Sequence, residues 1–330
     1  PYTTLKKKGA SMMGLCPFHE EHTASFSVSP GKNLYHCFSC GRGGDGISFI
    51  MEKEGLSFAD AVEFIARQQG IPIEYVGEEE SKEEADEAKH KERLLIALEY
   101  IQHYYVGCLH DKSSIESRQA RNYAYARWSD DFCTMAGIGY APLDSRPFIY
   151  YCAKKSIDNQ TLLELGMLRN SDDGRTYVLF RGRIMIPIRN RWGRVIAYTA
   201  RYISKAPDIP KYINSMNSPI FTKGEILFGI DRAVRCRRVD YFVIVEGAPD
   251  VLRMQSVGFE NTVATLGTAW TDSQFAQLKK LTDSVCFIPD SDVSKDRSYG
   301  PGFEAVMKNG AMAIRKGFSV TVRELPSVSY

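Results

Sequence analysis

From Tyr241 onward the chain alternates short apolar runs with amphipathic ones. Tyr241 to Val245 are aromatic and β-branched, the composition of a buried strand. Ala248 to Val257 continue as a helix with Pro249 in its first turn, and Asn261 to Leu266 read as a second strand. Thr271 to Leu281 predict a helix capped by Thr271, with Phe275, Leu278 and Leu281 facing inward. A strand over Ser284 to Ile288, a helix from Phe303 to Arg315 and a strand from Ser319 to Leu325 follow. Such alternation predicts a parallel sheet with helices on its faces.

Further upstream the pattern is less regular. Ser25 to Val28 and Leu34 to His36 alternate like paired strands around a turn at Ser29 to Asn33. Ile47 to Glu52 and Ser57 to Gln69 read as helices, the second capped by Ser57. Glu78 to Arg93 carries eight acids against four bases and no large apolar residue, so it is a solvated tether or an exposed helix. Leu94, Leu98, Ile101 and Tyr105 begin an amphipathic helix, Ser114 to Trp128 form another, and Ile184 to Ile188 and Gly193 to Arg201 read as strands flanked by arginines. The expected class is α+β and multidomain, divided as 1–75, 76–93, 94–238 and 239–330.

Composition changes this picture only through its distribution. The net charge of +2 conceals a block from Arg175 to Arg238 with 14 Lys or Arg against three acids. The remainder, Val239 to Tyr330, has 9 bases and 11 acids. A basic surface for nucleic acid therefore precedes an acidic site suited to metal-dependent phosphate chemistry. Glu246 and Asp250 follow the first buried strand, and Asp290 and Asp292 follow the third. Open parallel sheets bind ligands at such strand ends. Single acids there often cap helices, but the pattern E-G-x-x-D followed by D-x-D is more specific. Packed together, Glu246, Asp290 and Asp292 repel one another unless a cation intervenes, and hard oxygen donors favour Mg2+ or Mn2+ over zinc.

Of eight cysteines, three cluster with a histidine. Cys16-x2-His19 and Cys37-x2-Cys40 are two knuckles separated by 17 residues, and four such ligands close a structural Zn2+ site. Lys6, Lys7 and Lys8 ahead of the first knuckle form a solvated face or a grip on a template strand. No run of 18 apolar residues occurs, so no membrane span is expected. A first residue other than Met, and a last residue close behind an apparent strand, lead us to expect a piece of a longer protein.

The knuckle segment from Gly14 to Met51 resembles the zinc-binding domain of bacterial DnaG-type primases, and Thr4 to Gly9 matches their upstream basic segment. Asn122 to Pro142 resembles the start of the primase polymerase domain, with Arg127-Trp128 where an Arg-Gly pair usually stands. Phe180 to Arg183, Pro210 to Asn214 and Phe221 to Glu225 resemble its basic motifs. The resemblance implies that Arg181, Arg183, Arg201, Lys211, Tyr212, Asn214 and Lys223 hold template and incoming nucleotide. The segments around Glu246, Leu266 and Asp290 resemble the TOPRIM domain, implying acidic catalytic roles for Glu246, Asp250, Asp290 and Asp292. Ser291 replaces the family's glycine between the two aspartates. A further acidic pair expected after the next strand is not reached by Tyr330.

The implied architecture is a zinc ribbon, a mixed α/β basic lobe and a truncated TOPRIM sheet. The implied activity is synthesis of short RNA primers on single-stranded DNA from ribonucleoside triphosphates in the bacterial cytoplasm, at the nucleoid. A replicative helicase would be met through regions beyond this chain. Against it stands a single-stranded DNA-binding protein of a mobile element, with zinc and a degenerate TOPRIM site. A topoisomerase needs a transesterifying tyrosine that nothing marks here.

Overall fold

In the computed structural model, which describes residues 2–9, 11–54, 56, 58–73, 82–204, 208–236, 240–267, 269–289 and 301–323, the chain divides after Glu79. Pro1–Glu79 with Val234–Arg238 form one unit, and Glu80–Ala233 with Val239–Tyr330 form the other. Ser57, Asp290, Ser291 and Asp292 lie outside the described residues.

The smaller unit is an antiparallel five-stranded sheet in sequence order: β1 (Lys6–Lys8), β2 (Ser11–Gly14), β3 (Phe26–Ser29), β4 (Leu34–Cys37) and β5 (Gly43–Asp45). The turn between β3 and β4 closes through Asn33, whose φ of 51° lies in the left-handed region that short polar side chains tolerate. The small core gathers Phe26, Tyr35 and two of the cysteines, with Phe18 and Phe49 packed on it. Helices α1 (Gly46–Glu54) and α2 (Phe58–Gln69) add a second cluster around Ile50, Leu56 and Ala61.

The larger unit opens with α3 (Lys82–His110), whose 29 residues contain most of the acid-rich stretch. The expected boundary at 93–94 thus falls inside one helix. Its charged half is docked: His90 meets Glu164 at 2.7 Å, and Arg194 is held by Glu92 at 2.6 Å and Glu99 at 2.8 Å. There follow α4 (Ile115–Trp128), α5 (Asp130–Ala136), β6 (Gly139–Ala141), α6 (Arg146–Lys154), α7 (Asn159–Glu164) and the hairpin β7 (Leu168–Asn170) and β8 (Thr176–Val178). Strands β9 (Arg183–Arg189), β10 (Val195–Tyr202) and β11 (Tyr212–Asn214) join β6 in an antiparallel sheet ordered β11-β10-β9-β6. A four-residue helix, α8 (Ile230–Ala233), ends this lobe.

The parallel sheet follows as expected: β12 (Phe242–Ile244), α9 (Ala248–Ser256), β13 (Thr262–Val263), α10 (Asp272–Lys279), β14 (Ser284–Phe287), α11 (Pro301–Arg315) and β15 (Ser319–Val322). Its order is β13-β12-β14-β15, with every pairing parallel. Thr271 caps α10 in a reciprocal box with Gln274.

The expected boundary at 238–239 also does not divide the fold. One buried cluster runs from Trp128, Ile184 and Ile186 in the basic lobe to Val243, Val251 and Ala264 in the parallel sheet. A second, with Leu98, Tyr105, Phe148, Met185 and Tyr198, covers the other face of β9 and β10. Alternate residues of β9 serve the two clusters, so the strand is buried on both faces. The chain between the lobes adds to the parallel sheet, Phe228 pairing antiparallel with Ala264.

Candidate functional site

Two sites emerge, one in each unit. In the smaller unit the ligand atoms of Cys16, His19, Cys37 and Cys40 all lie within 4.8 Å of one another. Each knuckle turns a backbone N–H onto sulfur: Phe18 donates to Cys16 Sγ and Cys40 to Cys37 Sγ, both at 3.4 Å. Burial opposes ionisation of Cys37, yet the N–H groups of Cys40 and Ser39 and the Ser25 hydroxyl lower its pKa to about 6. Thiolate is the form that binds metal. His19 supplies the test of fit: both ring nitrogens are buried without hydrogen-bond partners. Its Nε2 lies 3.2 Å from the Glu21 carboxylate, without the alignment of a hydrogen bond. Glu21 also accepts from Cys16 N at 2.7 Å and Ser25 Oγ at 2.5 Å, so one carboxylate braces the first knuckle. Such outer support orients a metal-bound imidazole. The set fits tetrahedral Zn2+, and Glu21 is the member that ligand spacing alone does not reveal.

Lys6, Lys7 and Lys8 form β1, exposed at the sheet edge. Lysines on an edge strand also deter strand addition, so their placement serves either role assigned to them. Phe38 is 72% exposed beside His36, whereas Phe18 packs inward against Tyr35 and Phe49.

In the larger unit a cleft of about 400 Å3 opens at the carboxyl ends of β12 and β14. Glu246, Gly247 and Asp250 line one part of it; Thr199, Tyr212 and Asn214, from β10 and β11, line another. The acidic strand end and the basic lobe therefore share one cavity. Glu246 is exposed, while Asp250 is half-buried in the first turn of α9. Burial first, and the Glu246 carboxylate after it, push the Asp250 carboxyl above its ordinary range, against the pull of the Gly247 backbone. Two carboxylates so placed suit a hard divalent cation.

The basic residues separate into groups. Tyr212 lines the cleft, its phenol pushed up by burial against the pull of the Arg201 and Arg127 guanidiniums. Asn214 donates through Nδ2 to Leu266 O at 3.3 Å. Lys223 runs beside Gly267 on the cleft rim, where an added Cβ would meet its Cε at 3.4 Å. Its loop is held to α10, with Thr271 Oγ1 donating to Gly224 O at 2.5 Å and Gln274 Nε2 to Ile226 O at 2.9 Å. Arg181 and Lys211 are exposed.

Arg183 departs from the role expected of it. It is 5% exposed, and its Nη1 donates to the carbonyls of Pro210 at 3.0 Å and Ala200 at 3.4 Å. Burial lowers its pKa, and its guanidinium is committed to holding the 210 loop onto the sheet. Trp128 replaces the expected glycine by a structural contact: it is 2% exposed and its Nε1 donates to Pro249 O at 3.4 Å. Arg253 donates to the Arg127 carbonyl at 3.1 Å, a second tie between α4 and α9. Thr199, Trp270 and Asn309 also line the cleft and were not singled out in the sequence, because none carries a charge of its own that would mark it within its segment.

Known proteins match this chain in three consecutive segments. Residues 1–81 match the CHC2 zinc finger family, 104–234 the DNA primase catalytic core N-terminal domain, and 243–328 a Toprim-like domain. A DNA primase of Staphylococcus aureus (strain COL) is 34% identical over 330 residues, covering 99% of this chain and 53% of that protein. The chain thus spans about half the length of the curated relatives it matches. The crystal structure of the Aquifex aeolicus primase zinc-binding and RNA polymerase domains matches with a TM-score of 0.63 and 32% identity, over 99% of this chain and 76% of that one. A DnaG primase catalytic domain bound to ssDNA matches with a TM-score of 0.61 and 28% identity, over 73% of this chain and 76% of that one. Three family matches in the same order as the modules, and one solved relative matching across both units, lead to one conclusion: this chain belongs to the bacterial DNA primase family.

Proposed function

We propose that this chain carries the primer-synthesising machinery of a DNA primase, joining ribonucleoside triphosphates on a single-stranded DNA template. The observation that carries this reading is the shared cleft, in which Glu246 and Asp250 from the parallel sheet face a cavity also lined by Tyr212 and Asn214 from the basic lobe. In the reaction a 3′ hydroxyl oxygen bonds to the α-phosphorus of the incoming nucleotide. The bond from that phosphorus to the bridging oxygen breaks, and pyrophosphate leaves. Bound Mg2+ or Mn2+ supplies charge neutralisation at the phosphates and lowers the pKa of the attacking hydroxyl.

The chain's own residues do the remaining work. Glu246, at the cleft mouth, receives the hydroxyl proton or helps hold the ion. Asp250 adds a second carboxylate, with Asp290 and Asp292 assigned to the same ion by their position after β14. Lys223, Arg127, Arg201 and the exposed Arg181 and Lys211 supply phosphate-binding charge, and Tyr212 and Asn214 position the nucleotide. Little covalent chemistry is left to the protein, so placement and charge account for catalysis. The zinc unit, with Lys6, Lys7 and Lys8 on its edge, is assigned to gripping the template. The same reading implies work at the bacterial nucleoid, with a replicative helicase met through residues outside this stretch.

The test is incubation of the chain with single-stranded DNA, labelled ribonucleotides and Mg2+. Short RNA products are expected, and Glu246→Gln lowers their rate by on the order of 10³ with the DNA gel shift intact. Undiminished synthesis by that variant removes Glu246 from the mechanism. A gel shift without product from the parent chain returns the protein to the class of DNA binders.

A further inference from the structure

Four arginines of the larger unit are neutralised by acids. Arg194 is held by Glu92 and Glu99, Arg232 by Glu260, Arg146 by Asp144 and Arg175 by Asp173. Arg127 and Arg201 are different: among the described residues neither is paired with a carboxylate, and both lie against aromatic rings. The Arg127 guanidinium stands 4.2 Å from the centre of the Tyr123 ring, and that of Arg201 stands 5.2 Å from the same ring. Arg201 is also 4.9 Å from the Tyr212 ring, and Tyr212 lines the cleft with Asp250.

The sequence builds this arrangement from two local rules. Tyr123 and Arg127 are four apart on α4, which stacks them on one helix face. Arg201 and Tyr212 are direct cross-strand partners on β10 and β11. Two like charges gathered around one ring repel, and the negative ring faces offset that repulsion without consuming the N–H donors that a carboxylate would occupy. Arg201 Nε is buried with no hydrogen-bond partner among the described residues.

We propose that Tyr123 is a positioning residue that gathers Arg127 and Arg201 into a phosphate clamp beside the metal-binding acids. This rests on the proposed function and deepens it. The clamp takes phosphate oxygens, supplied either by the incoming triphosphate or by the template backbone. Its nearness to Asp250, through Tyr212, favours the triphosphate. The Tyr123 hydroxyl is buried without a hydrogen-bond partner, so the ring face is the working part and the oxygen is dispensable.

The test compares Tyr123→Leu with Tyr123→Phe in the whole chain, measuring the KM for ATP, kcat and the salt dependence of single-stranded DNA affinity. Tyr123→Leu is expected to raise KM about tenfold with kcat changed about twofold at most, and Tyr123→Phe to recover most of that loss. If the template is the ligand, the tenfold loss moves to DNA affinity and the salt slope becomes shallower. The clamp is overturned if Tyr123→Leu leaves both affinities unchanged, or if Tyr123→Phe is as damaging as Tyr123→Leu. A fall in kcat and melting temperature with KM unchanged also overturns it, as the mark of a merely structural ring. Equilibrium binding of ATP with Mg2+, which needs no turnover, separates the outcomes: a parent chain that binds ATP through Tyr123 but makes no product keeps the clamp and loses the polymerase.

Discussion

In the smaller unit four soft or borderline ligands converge, with two backbone N–H groups and one glutamate turned towards them. In the larger unit an exposed glutamate and a half-buried aspartate share a cleft about 400 Å3 in volume with a neutral tyrosine and an amide. Nearby arginines are held by rings rather than by acids. The first site is complete within itself, which is how a metal stabilises a small fold. The second gathers carboxylates on one side and ring-held guanidiniums on the other, an arrangement suited to a nucleotide with a divalent ion. The contrast therefore separates a metal that builds from a metal that works.

Removing zinc is the strongest way to break this contrast. The small core of the N-terminal unit contains two of the ligands, Cys16 and Cys37. Chelation, or Cys37→Ser, is therefore expected to unfold that unit, a structural zinc being worth on the order of 10 kcal/mol. Hydrogen exchange would show amides of β3 and β4 losing protection while those of β9 and β10 keep it. Unchanged protection in β3 and β4 would place the stability of this unit elsewhere. Glu246→Gln should do the reverse, removing chemistry while leaving the thermal transition within about 1 °C of the parent, since its side chain is exposed.

Much of this organisation is readable from the chain itself. The strand and helix alternation after Tyr241 emerges as a parallel sheet, and Thr271 caps α10 as its hydroxyl and Gln274 allow. The four zinc ligands are legible because each pair sits on one tight turn. Most of what is not legible arises from contacts distant in sequence. No local pattern tells Arg183 from Arg201, yet β9 is covered on both faces, leaving Arg183 no solvent side, while Arg201 lies where β10 reaches the cleft lobe. The acid-rich run reads as a solvated tether or an exposed helix, and it is helical from Lys82; its docking is not legible because its partners, Glu164 and Arg194, stand 74 and 102 residues away from His90 and Glu92. Tyr123 escapes because the fold alone brings Arg201 to its ring, whereas Glu21 has partners close in sequence and escapes because no spacing rule marks a carboxylate as the brace of a knuckle.

Ile186 sharpens the contrast at a smaller scale. It is fully buried in the cluster that joins the antiparallel sheet to the parallel one. Ile186→Ala is expected to cost about 3 kcal/mol and to weaken both lobes in a single transition, because the cluster it belongs to is built from both of them. Calorimetry resolving two transitions within the larger unit would restore a domain boundary near residue 239. The zinc unit, with its own clusters, should melt independently of the substitution.

The smallest effect concerns Asp250, and its sign distinguishes a site built for function from one built for stability. Burial and the Glu246 charge raise its folded pKa, so the native state favours the protonated carboxyl more than the unfolded chain does. Asp250 therefore contributes its full stabilisation below the ordinary carboxylate range, and that contribution is lost as pH rises through the raised folded value. At neutral pH, without divalent ions, the ionised group is a net cost, and Asp250→Asn should melt about 2 °C above the parent. Below pH 4 the difference should shrink towards zero. Adding Mg2+ at neutral pH should stabilise the parent and leave the variant nearly unmoved, because binding to the native state alone shifts unfolding by mass action. Melting curves over pH 4 to 8, with and without Mg2+, test all three statements. A less stable Asp250→Asn in metal-free buffer would mean that the carboxylate supports the fold. The larger site would then obey the rule of the zinc unit, and the proposed contrast between the two would fail.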